Sequence, residues 1–360
     1  MSLDAFRGLT IATMILVNNP GNWEHVYTPL DHAPWHGWTL TDLIFPFFLF
    51  IVGVSMTFSF GKRLQTELKR ELHRDVIRRA TIIFCLGLLL SLFPRFDFAN
   101  LRYVGVLPRI AIVYLIASIL FLNLSRRALA WVAGGLLTGY WALLTLVPVP
   151  GVGAGVLTPD GNLAAWIDSF LVPGRMYQGA WDPEGFTSTL PAIATALLGI
   201  FVGDWLRRGR DRLEIATRMF GVGWLAILAG LAWGLWFPIN KNLWTSSYVL
   251  FTTGAAMVIL ALCWWLIDIK DHTRWAQPFV VFGVNAIAVF VLSGLMARLM
   301  IFIQVPAGDE TIPLKSWIYE HLFAPWASPT NASLAYAVVY VAIWWALMAL
   351  LYRRRIFIKV

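Results

Sequence analysis

Long apolar stretches alternate with polar segments along the whole chain. An α-helix needs about 20 apolar residues to cross the hydrocarbon core of a bilayer, and ten stretches are long enough. Their apolar positions run continuously instead of alternating, which excludes an outer-membrane β-barrel. The pattern predicts an all-α fold: one polytopic membrane domain over residues 1–360 with about ten transmembrane helices. The predicted spans are 4–19, 42–60, 78–95, 104–123, 128–148, 188–206, 219–237, 247–267, 278–298 and 333–352.

Three of the polar segments are long and join spans on the same side of the predicted bundle. They are rich in Trp, Pro and Gly, and two shorter pieces within them, 160–170 and 314–323, have an amphipathic pattern. Loops of this length usually carry function or cover another part of the molecule. The three segments are 20–41, 149–187 and 299–332.

Positive charge is distributed unevenly between the two sides. Ten spans put both termini on one side. If that side is the cytoplasm, twenty of the 28 basic residues lie in inner segments, six lie in outer ones, and Arg7 and Arg109 lie within spans. Because cytoplasmic loops carry the excess of Lys and Arg, we expect both termini in the cytoplasm. The basic loops would anchor the protein to anionic lipid or hold a phosphate-bearing ligand. No nucleic-acid-binding motif is present.

Composition agrees with a membrane protein and narrows the chemistry. Apolar residues make up 59% of the chain and charged residues 13%, against about 25% charged residues in soluble domains. Cys85 and Cys263 lie inside apolar stretches and cannot form a metal framework. No GxSxG elbow, Walker A loop or GxGxxG fingerprint occurs, so covalent catalysis by Ser or Cys is unsupported.

The segment from residue 18 to residue 48 holds half of the chain's six histidines and no Lys or Arg. Among them, His32 is the best candidate for a general base, because imidazole titrates near neutrality and a carboxylate on one ring nitrogen fixes its tautomer. Asp42, at the start of the second span, can fold back to provide that carboxylate, and Asp31 is a second candidate. The alternative is that His32 is an ordinary polar surface residue.

A zinc site built from His25, His32 and His36 is the other reading of this segment. His32 and His36 have the i, i+4 spacing of zinc ligands on a helix. Pro34 lies between them and disfavours such a helix, and neither a cysteine nor an HExxH motif lies nearby. We therefore expect no metal.

Polar groups inside predicted spans are costly and are functional candidates by default. Arg7 lies one turn into the first span, Asn18 ends that span, Arg109 lies a turn into the fourth, and Asn285 lies in the middle of the ninth. The alternative for each is a structural partner, such as a nearby carboxylate or a hydrogen bond to another helix.

Two further outer segments carry polar residues. The first, DPEGFTSTLP, begins at Asp182 and includes Glu184, whose acids would bind a cationic or hydroxylated substrate or cap the next helix. The second, NKNLWTSSY, begins with Asn240, Lys241 and Asn242. Amides beside a Trp suit the hydroxyls and the apolar face of a sugar, and a plain turn is the alternative.

Five stretches occur in an order that is specific, although no single one is: LDAFRGLTIATMILVNNPG, DHAPWHGWTLTDLIFPFFLFIVGVSM, GVLPRIAIVYL, DPEGFTSTLPAIATALLG and NKNLWTSSYVLFTTG. With them the chain resembles, over nearly its whole length, the membrane domain of heparan-α-glucosaminide N-acetyltransferase and its bacterial relatives, in the transmembrane acyltransferase superfamily.

The resemblance implies an enzyme that takes acetyl-CoA from the cytosol and transfers the acetyl group to the amine of a terminal glucosamine across the membrane. It places the catalytic histidine at His32, in HAPWHG where the family has an HASWNG-like motif, and an important Asn at Asn18. Pro34 and His36 depart from that motif, and Pro108 replaces the Gln of a GVLQRIA pattern. These departures affect local geometry, and His36 competes for the role of base.

The resemblance also bears on acceptor and assembly. From the resemblance we expect these 360 residues to lack the soluble lumenal domain of the animal enzyme. We therefore expect glucosamine or a small amino-sugar oligomer or glycan fragment as acceptor. A homodimer in the bacterial inner membrane is expected from the family.

Three groups of site residues are predicted. The catalytic residues are His32 as base, Asp42 as its orienting carboxylate and Asn18 as donor to the thioester oxygen. The substrate-binding residues are Trp35, His36, Asp182, Glu184, Asn240, Lys241, Asn242 and Asn285. The residues predicted to bind acetyl-CoA are Arg7, Arg78, Arg79, Arg109, Arg126 and Arg207, with Arg127 and Arg208 as further inner-side candidates.

Three alternatives stay open at this point. An acetylated His32 intermediate is a rival to direct transfer, because imidazole can also be the nucleophile. The chain could instead be a transporter of amino sugars or small solutes, although neither an inverted repeat nor a pair of broken helices is evident. Finally, the same apparatus could O-acetylate an envelope glycan.

Overall fold

The structure is a computed structural model that describes residues 1–64, 66–208 and 211–358. Arg210 and Lys359, which are among the twenty inner basic residues, lie outside these ranges, and the structure does not describe the side chains of Lys62 and Arg208.

Thirteen α-helices form most of the described chain, which confirms the all-α prediction. A single antiparallel hairpin pairs β1 (Gln304–Ala307) with β2 (Glu310–Pro313). The helices are α1 (Ser2–Val17), α2 (Leu40–Arg63), α3 (Lys69–Leu92), α4 (Val106–Asn123), α5 (Arg126–Leu146), α6 (Leu163–Leu171), α7 (Thr189–Arg208), α8 (Arg212–Trp233), α9 (Ser246–Trp264), α10 (Gln277–Val284), α11 (Ala286–Phe302), α12 (Leu314–Leu322) and α13 (Pro329–Arg353).

Each of the ten predicted spans overlaps a helix or a helix pair. Within the described residues, seven helices are long and apolar enough to cross a membrane, and counting one bent pair as a span gives eight. Helix α1 has 16 residues, a length of about 24 Å at 1.5 Å per residue, which is shorter than the hydrocarbon core. Helix α3 begins with charged turns. A polytopic helical membrane protein is therefore confirmed, whereas ten independent spans are more than length and composition support.

The ninth predicted span, residues 278–298, is wrong as a single helix. The chain bends by 72° between α10 and α11, and Asn285 is the residue at the bend. Its side-chain amide donates to the Ile356 carbonyl at 3.2 Å, and its oxygen accepts the N–H of Ile358 at 2.8 Å. These bonds agree with the alternative to a functional role for Asn285, which was a structural partner: the side chain binds the segment that follows α13.

Close helix packing depends on glycines at three helix pairs. A Cβ added to Gly8 of α1 would lie 1.6 Å from the Phe279 carbonyl oxygen of α10, and one added to Gly53 of α2 would lie 2.0 Å from the Ala196 oxygen of α7. Gly254 of α9 meets α8 in the same way. Small residues let helix backbones approach closely in membranes. These contacts place the short helix α1 inside the bundle.

The two ends of the bundle differ. Helices α2, α4, α7 and α9 begin at one end, named here the histidine end because His32 lies there. The hydroxyl of Tyr248, in the first turn of α9, donates to the Asp42 carbonyl of α2 at 2.5 Å. Helices α1, α3, α5 and α8 begin at the other end, named here the basic end. The pieces 160–170 and 314–323 form α6 and α12, in the connections of the histidine end.

Candidate active site at the histidine end

Asp42 is the anchor of the site and belongs to the first turn of α2. Its side chain is 1% exposed. One carboxylate oxygen accepts the backbone N–H groups of Ala33 at 3.0 Å and Thr39 at 3.1 Å. The bond from the N–H of Thr39, the residue before α2, to the side chain of Asp42 resembles a capping box. The positive end of the helix dipole also favours a carboxylate at this position. The sequence Thr39–Asp42 therefore both starts α2 and buries a charge.

His32 lies against the other oxygen of this carboxylate. Its Nδ1 is 2.7 Å from Asp42 Oδ1. A carboxylate at this distance accepts a hydrogen bond from the Nδ1–H, so that the lone pair of the neutral ring lies on Nε2. The His32 side chain is 45% exposed, so a substrate can reach it. Asp31, the second candidate for the orienting role, instead accepts the backbone N–H of His32 at 2.7 Å.

Lys241 lies beside the same imidazole. Its Nζ is 3.0 Å from Nδ1 and 3.2 Å from Nε2 of His32, and 3.5 Å from Asp42 Oδ1. Burial lowers the pKa of the Lys241 ammonium, and the charges of Asp42 and Glu184 oppose that change. Sequence reasoning assigned Lys241 to sugar binding. The structure brings it to the histidine–aspartate pair.

His36, the competing base, has a different environment. The side-chain amide of the buried Asn240 donates to His36 Nδ1, with 3.2 Å between the nitrogens. Burial lowers the pKa of the His36 imidazole. A neutral ring that accepts at Nδ1 carries its proton on Nε2 and is a hydrogen-bond donor there. In this arrangement His36 is better suited to bind a substrate oxygen than to accept a proton.

Aromatic and amide groups flank the histidines. The indole N–H of Trp35 donates to the Leu157 carbonyl at 2.7 Å, and its ring meets that of Trp181 edge-on at 4.9 Å between centroids. Asn242 lines a small hollow together with Trp35 and Trp181. The hollow joins the loop before α2, the α8–α9 turn and the long segment before α7.

The acids of that long segment are already paired. Asp182 accepts two hydrogen bonds from Arg102, at 2.7 and 2.6 Å, and Glu184 accepts one at 2.5 Å. Burial acts to lower the pKa of Arg102, but these two carboxylates outweigh it and raise the pKa above its ordinary value. Sequence reasoning missed Arg102, and the available signal was weak: it is one of six outer basic residues, any of which could have paired with the two acids. Asp182 and Glu184 therefore serve first to fix this segment.

Arg109 is fully buried at the histidine end. One guanidinium nitrogen donates to the Gly185 carbonyl at 2.9 Å and to the Ser188 hydroxyl, and the group lies over the Trp244 ring at 5.0 Å. The sequence grouped Arg109 with the inner arginines as a residue that binds acetyl-CoA, and this placement is wrong. Helix α4 begins at the histidine end, so Arg109, in its first turn, lies at the end opposite the inner arginines.

The other predicted arginines are dispersed over the basic end. Arg78 is exposed, Arg207 donates to the Gly61 carbonyl at 3.3 Å, and Arg126 pairs with Asp204. Arg126 and Asp204 line a cavity of about 420 Å³ between α5, α7 and α8.

Arg7 and Arg79 come together in another cavity, of about 440 Å³. Arg7 donates to Ser55 at 2.8 Å and to Asp4 at 2.9 Å. The buried Nε of Arg79 has no hydrogen-bond partner among the described residues, and its guanidinium lies over the Tyr114 ring at 5.1 Å. The cavity therefore offers two cations and an unused donor inside mostly apolar walls.

A second, smaller hollow continues from this cavity. Phe48, Ile110 and Ile287 line both spaces. The second hollow also touches Met14 and Val106, which lie near the histidine end of α1 and α4. Apolar lining thus extends from the cavity of Arg7 and Arg79 toward the end that carries His32.

Asn18 is the predicted residue that the structure leaves apart from the pair. It follows the last turn of α1 and its side chain is exposed. In the part of the chain that the structure describes, its amide forms no hydrogen bond with His32 or Asp42. His25, His32 and His36 do not meet as a group either, and the described residues contain no cluster of three potential metal ligands.

Fold and site together define a polytopic helical membrane protein with a histidine–aspartate pair at one end of its bundle and a basic cavity facing the other. The chain belongs to the family described as heparan-alpha-glucosaminide N-acetyltransferase, catalytic, whose family model matches residues 1–237. The resemblance seen in the sequence motifs is therefore confirmed.

Two curated relatives carry the name heparan-alpha-glucosaminide N-acetyltransferase. The chain is 28% identical to the Homo sapiens protein over 423 aligned residues, which cover 100% of this chain and 59% of that protein. It is 28% identical to the Mus musculus protein over 306 residues, which cover 69% of this chain and 46% of that protein. The chain thus spans about half the length of these relatives.

Proposed function

We propose that this protein is a membrane-embedded acetyltransferase that moves an acetyl group from acetyl-CoA to the amine of a glucosamine-type sugar. The observation that carries the proposal is the 2.7 Å contact between His32 Nδ1 and Asp42 Oδ1 in a chain of this family. The donor would enter from the cytoplasm at the basic end, and the acceptor would bind at the histidine end on the periplasmic side of a bacterial inner membrane. The active unit would be a homodimer.

His32 is the general base of the proposed reaction. With its Nδ1 proton held by Asp42, Nε2 accepts the proton that the acceptor nitrogen loses as its bond to the acetyl carbon forms. The same proton is available to the sulfur when the carbon–sulfur bond breaks, so the ring returns to its neutral form. The 45% exposure of the side chain supports this role, because the amine must reach Nε2.

The cavity of Arg7 and Arg79 suits the donor. Acetyl-CoA, when bound, supplies the acetyl group as a reactive thioester. Two guanidinium groups can pair with phosphate oxygens, and the unused Nε–H of Arg79 is a donor that lacks a partner in the described structure. The apolar walls near Phe48 and Ile110 suit a long, weakly polar arm. These features support the proposal that the donor would bind at the basic end.

Asn18 remains the proposed donor to the acetyl oxygen. Its exposed amide is free of hydrogen bonds to other described side chains, so it can turn toward a ligand. One such donor lowers a barrier by about 3 kcal/mol. No hydrogen bond joins the Asn18 side chain to the pair in the described structure, so it would have to turn toward the bound thioester.

The acceptor would bind among the flanking residues. Trp35 offers an aromatic face, and the His36 Nε2–H and the Asn242 amide offer partners for hydroxyl groups. Asn240 acts through its bond to His36. Arg102 forms ion pairs with both Asp182 and Glu184. These carboxylates would therefore accept hydrogen bonds from the acceptor only with the lone pairs that Arg102 leaves unused.

An assay of CoA release tests the proposal directly. Purified protein is mixed with acetyl-CoA and a panel of glucosamine, small amino-sugar oligomers and sugars that have hydroxyl groups but no amine. Release of the CoA thiol is measured with a chromogenic thiol reagent, and the acetylated product is identified by mass spectrometry. We expect N-acetylated product from amines, formed at least about 100-fold more slowly by His32→Ala. Product from the amine-free sugars alone would instead identify an O-acetyltransferase, and no thiol release from any acceptor would overturn the proposal.

Solute transport is the second candidate, and one observation favours it. The bend between α10 and α11 borders the larger cavity, and interrupted helices often line transport sites. Proteoliposomes separate the two functions. Uptake of labelled glucosamine without acetyl-CoA would favour transport, whereas product formation that depends on acetyl-CoA would favour the enzyme.

A further inference from the structure

The contact of Lys241 with both catalytic candidates has no role in the reaction as described so far. The ammonium lies within 3.5 Å of both ring nitrogens of His32 and of Asp42 Oδ1. Its side chain is only 17% exposed. Lys241 also lies beyond residues 1–237, the part of the chain that the family model matches. Three charged or ionisable groups from two distant parts of the chain therefore form one cluster.

The turn that carries Lys241 is fixed by its own hydrogen bonds. Asn240 Oδ1 accepts the N–H of Leu243 at 2.8 Å, and the Lys241 carbonyl accepts the N–H of Trp244 at 3.1 Å. Thr245 Oγ1 accepts the N–H of Asn240 at 3.0 Å. Trp244 has a positive φ of 51° and is buried. These hydrogen bonds fix the backbone of the turn and therefore hold Lys241 at a defined position beside His32.

A cation beside the pair changes the balance between the protonated and the neutral ring. A buried carboxylate in contact with an imidazole favours the protonated ring, and an imidazolium has no lone pair with which to accept a proton. A cation at 3.0–3.2 Å favours the neutral ring. We propose that Lys241 is a positioning residue that offsets the charge of Asp42 and so keeps His32 unprotonated and able to act as a base. This inference rests on the proposed function, in which His32 is that base.

The remaining charged groups around the cluster act at longer range. Asp31 contacts the backbone N–H of His32 and not its ring. Glu184, before α7, and Arg109, on α4, influence Lys241 without contacting it, with opposite signs. His36 meets the turn only through Asn240. Lys241 is thus the cation in direct contact with the ring among the described residues.

The pH dependence of acetyl transfer tests the inference. Lys241→Met removes the charge and keeps an unbranched side chain shorter by one heavy atom, and Lys241→Arg keeps the charge. Lys315→Met is the matched control, since Lys315 is a half-buried lysine that lies over Trp23, away from the site. Loss of the cation makes the ring easier to protonate. The acid limb of kcat/KM for Lys241→Met should therefore move to higher pH by about one unit or more.

Lys241→Arg should return the limb toward its wild-type position, and Lys315→Met should leave it unmoved. A Lys241→Met profile that falls equally at every pH would mean that the lysine only binds substrate, and the inference would then be overturned. An unchanged profile would overturn it as well.

Nuclear magnetic resonance gives a readout that needs no turnover. Protein labelled with ¹⁵N-histidine is titrated in detergent, and His32→Gln identifies the His32 signal among the six histidines. A titration midpoint that moves upward in Lys241→Met supports the coupling. If that shift occurs while no amine is acetylated, the proposed function fails and the coupling stands. A midpoint that stays in place overturns the inference.

Discussion

His32 and His36 lie four residues apart, yet their rings have opposite partners. Nδ1 of His32 meets a buried carboxylate, whereas Nδ1 of His36 accepts from an amide. A carboxylate stabilises the imidazolium that forms when a base takes up a proton, and an amide donor does not. The sequence motif alone allowed either histidine to be the base, and the hydrogen bonds favour His32.

Replacing each histidine separately measures this difference. His32→Ala should lower kcat/KM for acetyl transfer by at least about 100-fold, the usual contribution of a general base. His36→Ala should lower it by less than about tenfold, mainly through KM, because it removes a substrate contact. Steady-state rates of thiol release give both values. Near-wild-type turnover of His32→Ala would contradict the assignment, and a larger loss for His36→Ala would transfer the role to that residue.

Arg79 allows a test of the donor site at the same scale. Arg79→Met keeps the bulk of the side chain and removes the charge and the unpaired Nε–H. We expect KM for acetyl-CoA to rise by about tenfold or more, the effect of losing one hydrogen bond to a charged group, with kcat nearly unchanged. Arg126→Met, in the cavity between α5, α7 and α8, is the comparison. A rise in KM for Arg126→Met alone would place the donor in that other cavity.

At the scale of elements, helix α1 depends on its contact with α10. Gly8 and Gly283 face the backbone of the partner helix, and a Cβ on either would lie 2.0 Å or less from a carbonyl oxygen. Backbone atoms cannot move aside as a flexible side chain can. The position of α1, and with it the connection that carries His32, therefore depends on residues without side chains.

Adding a methyl group at this contact should separate the two helices. Gly8→Ala is expected to destabilise the protein by about 1–3 kcal/mol or more, as overpacking does. Gly139→Ala is the matched control, because Gly139 lies on an exposed face of α5 with nothing within 4 Å of the added Cβ. The control should be neutral or slightly stabilising. Thermal unfolding midpoints in detergent compare the two, and equal midpoints would show that the contact does not hold α1.

The limits of sequence reasoning are also clearest for elements. Continuous apolar runs located every long helix, because burial in lipid requires them. The bend at Asn285 was not predicted, since a broken helix and a straight one can share the same composition. A single Asn in an apolar run was the available signal, and its partners, Ile356 and Ile358, lie at the far end of the chain.

The candidate site shows the same division between local and distant information. Asp42 lies ten residues from His32, so a short loop brings the two together and chemistry alone suggested the contact. Lys241 lies 209 positions from His32, and only the packing of α9 against α2 places it there. Arg109 needed no distant information: with both termini in the cytoplasm the fourth span begins on the outer side, and grouping Arg109 with the inner arginines overlooked this.

At the scale of the whole molecule, the two ends have complementary chemistry. The histidine end carries the proposed base and its aromatic surroundings, and the larger cavity holds Arg7 and Arg79 toward the basic end. An acetyl group delivered from one end to the other would need no movement of the donor's phosphates across the bilayer. This arrangement makes the orientation of the bundle a central question for the mechanism.

Labelling of single cysteines in intact cells tests that orientation. In a background with Cys85→Ala and Cys263→Ala, Asn100→Cys marks the histidine end and Leu124→Cys marks the basic end, and both sites are exposed. If the protein lies in a bacterial inner membrane as proposed, basic loops stay in the cytoplasm, and an impermeant maleimide should label position 100 from the periplasm and position 124 only after that membrane is opened. The reverse pattern would put His32 in the same compartment as acetyl-CoA, and transfer across the membrane would then be excluded.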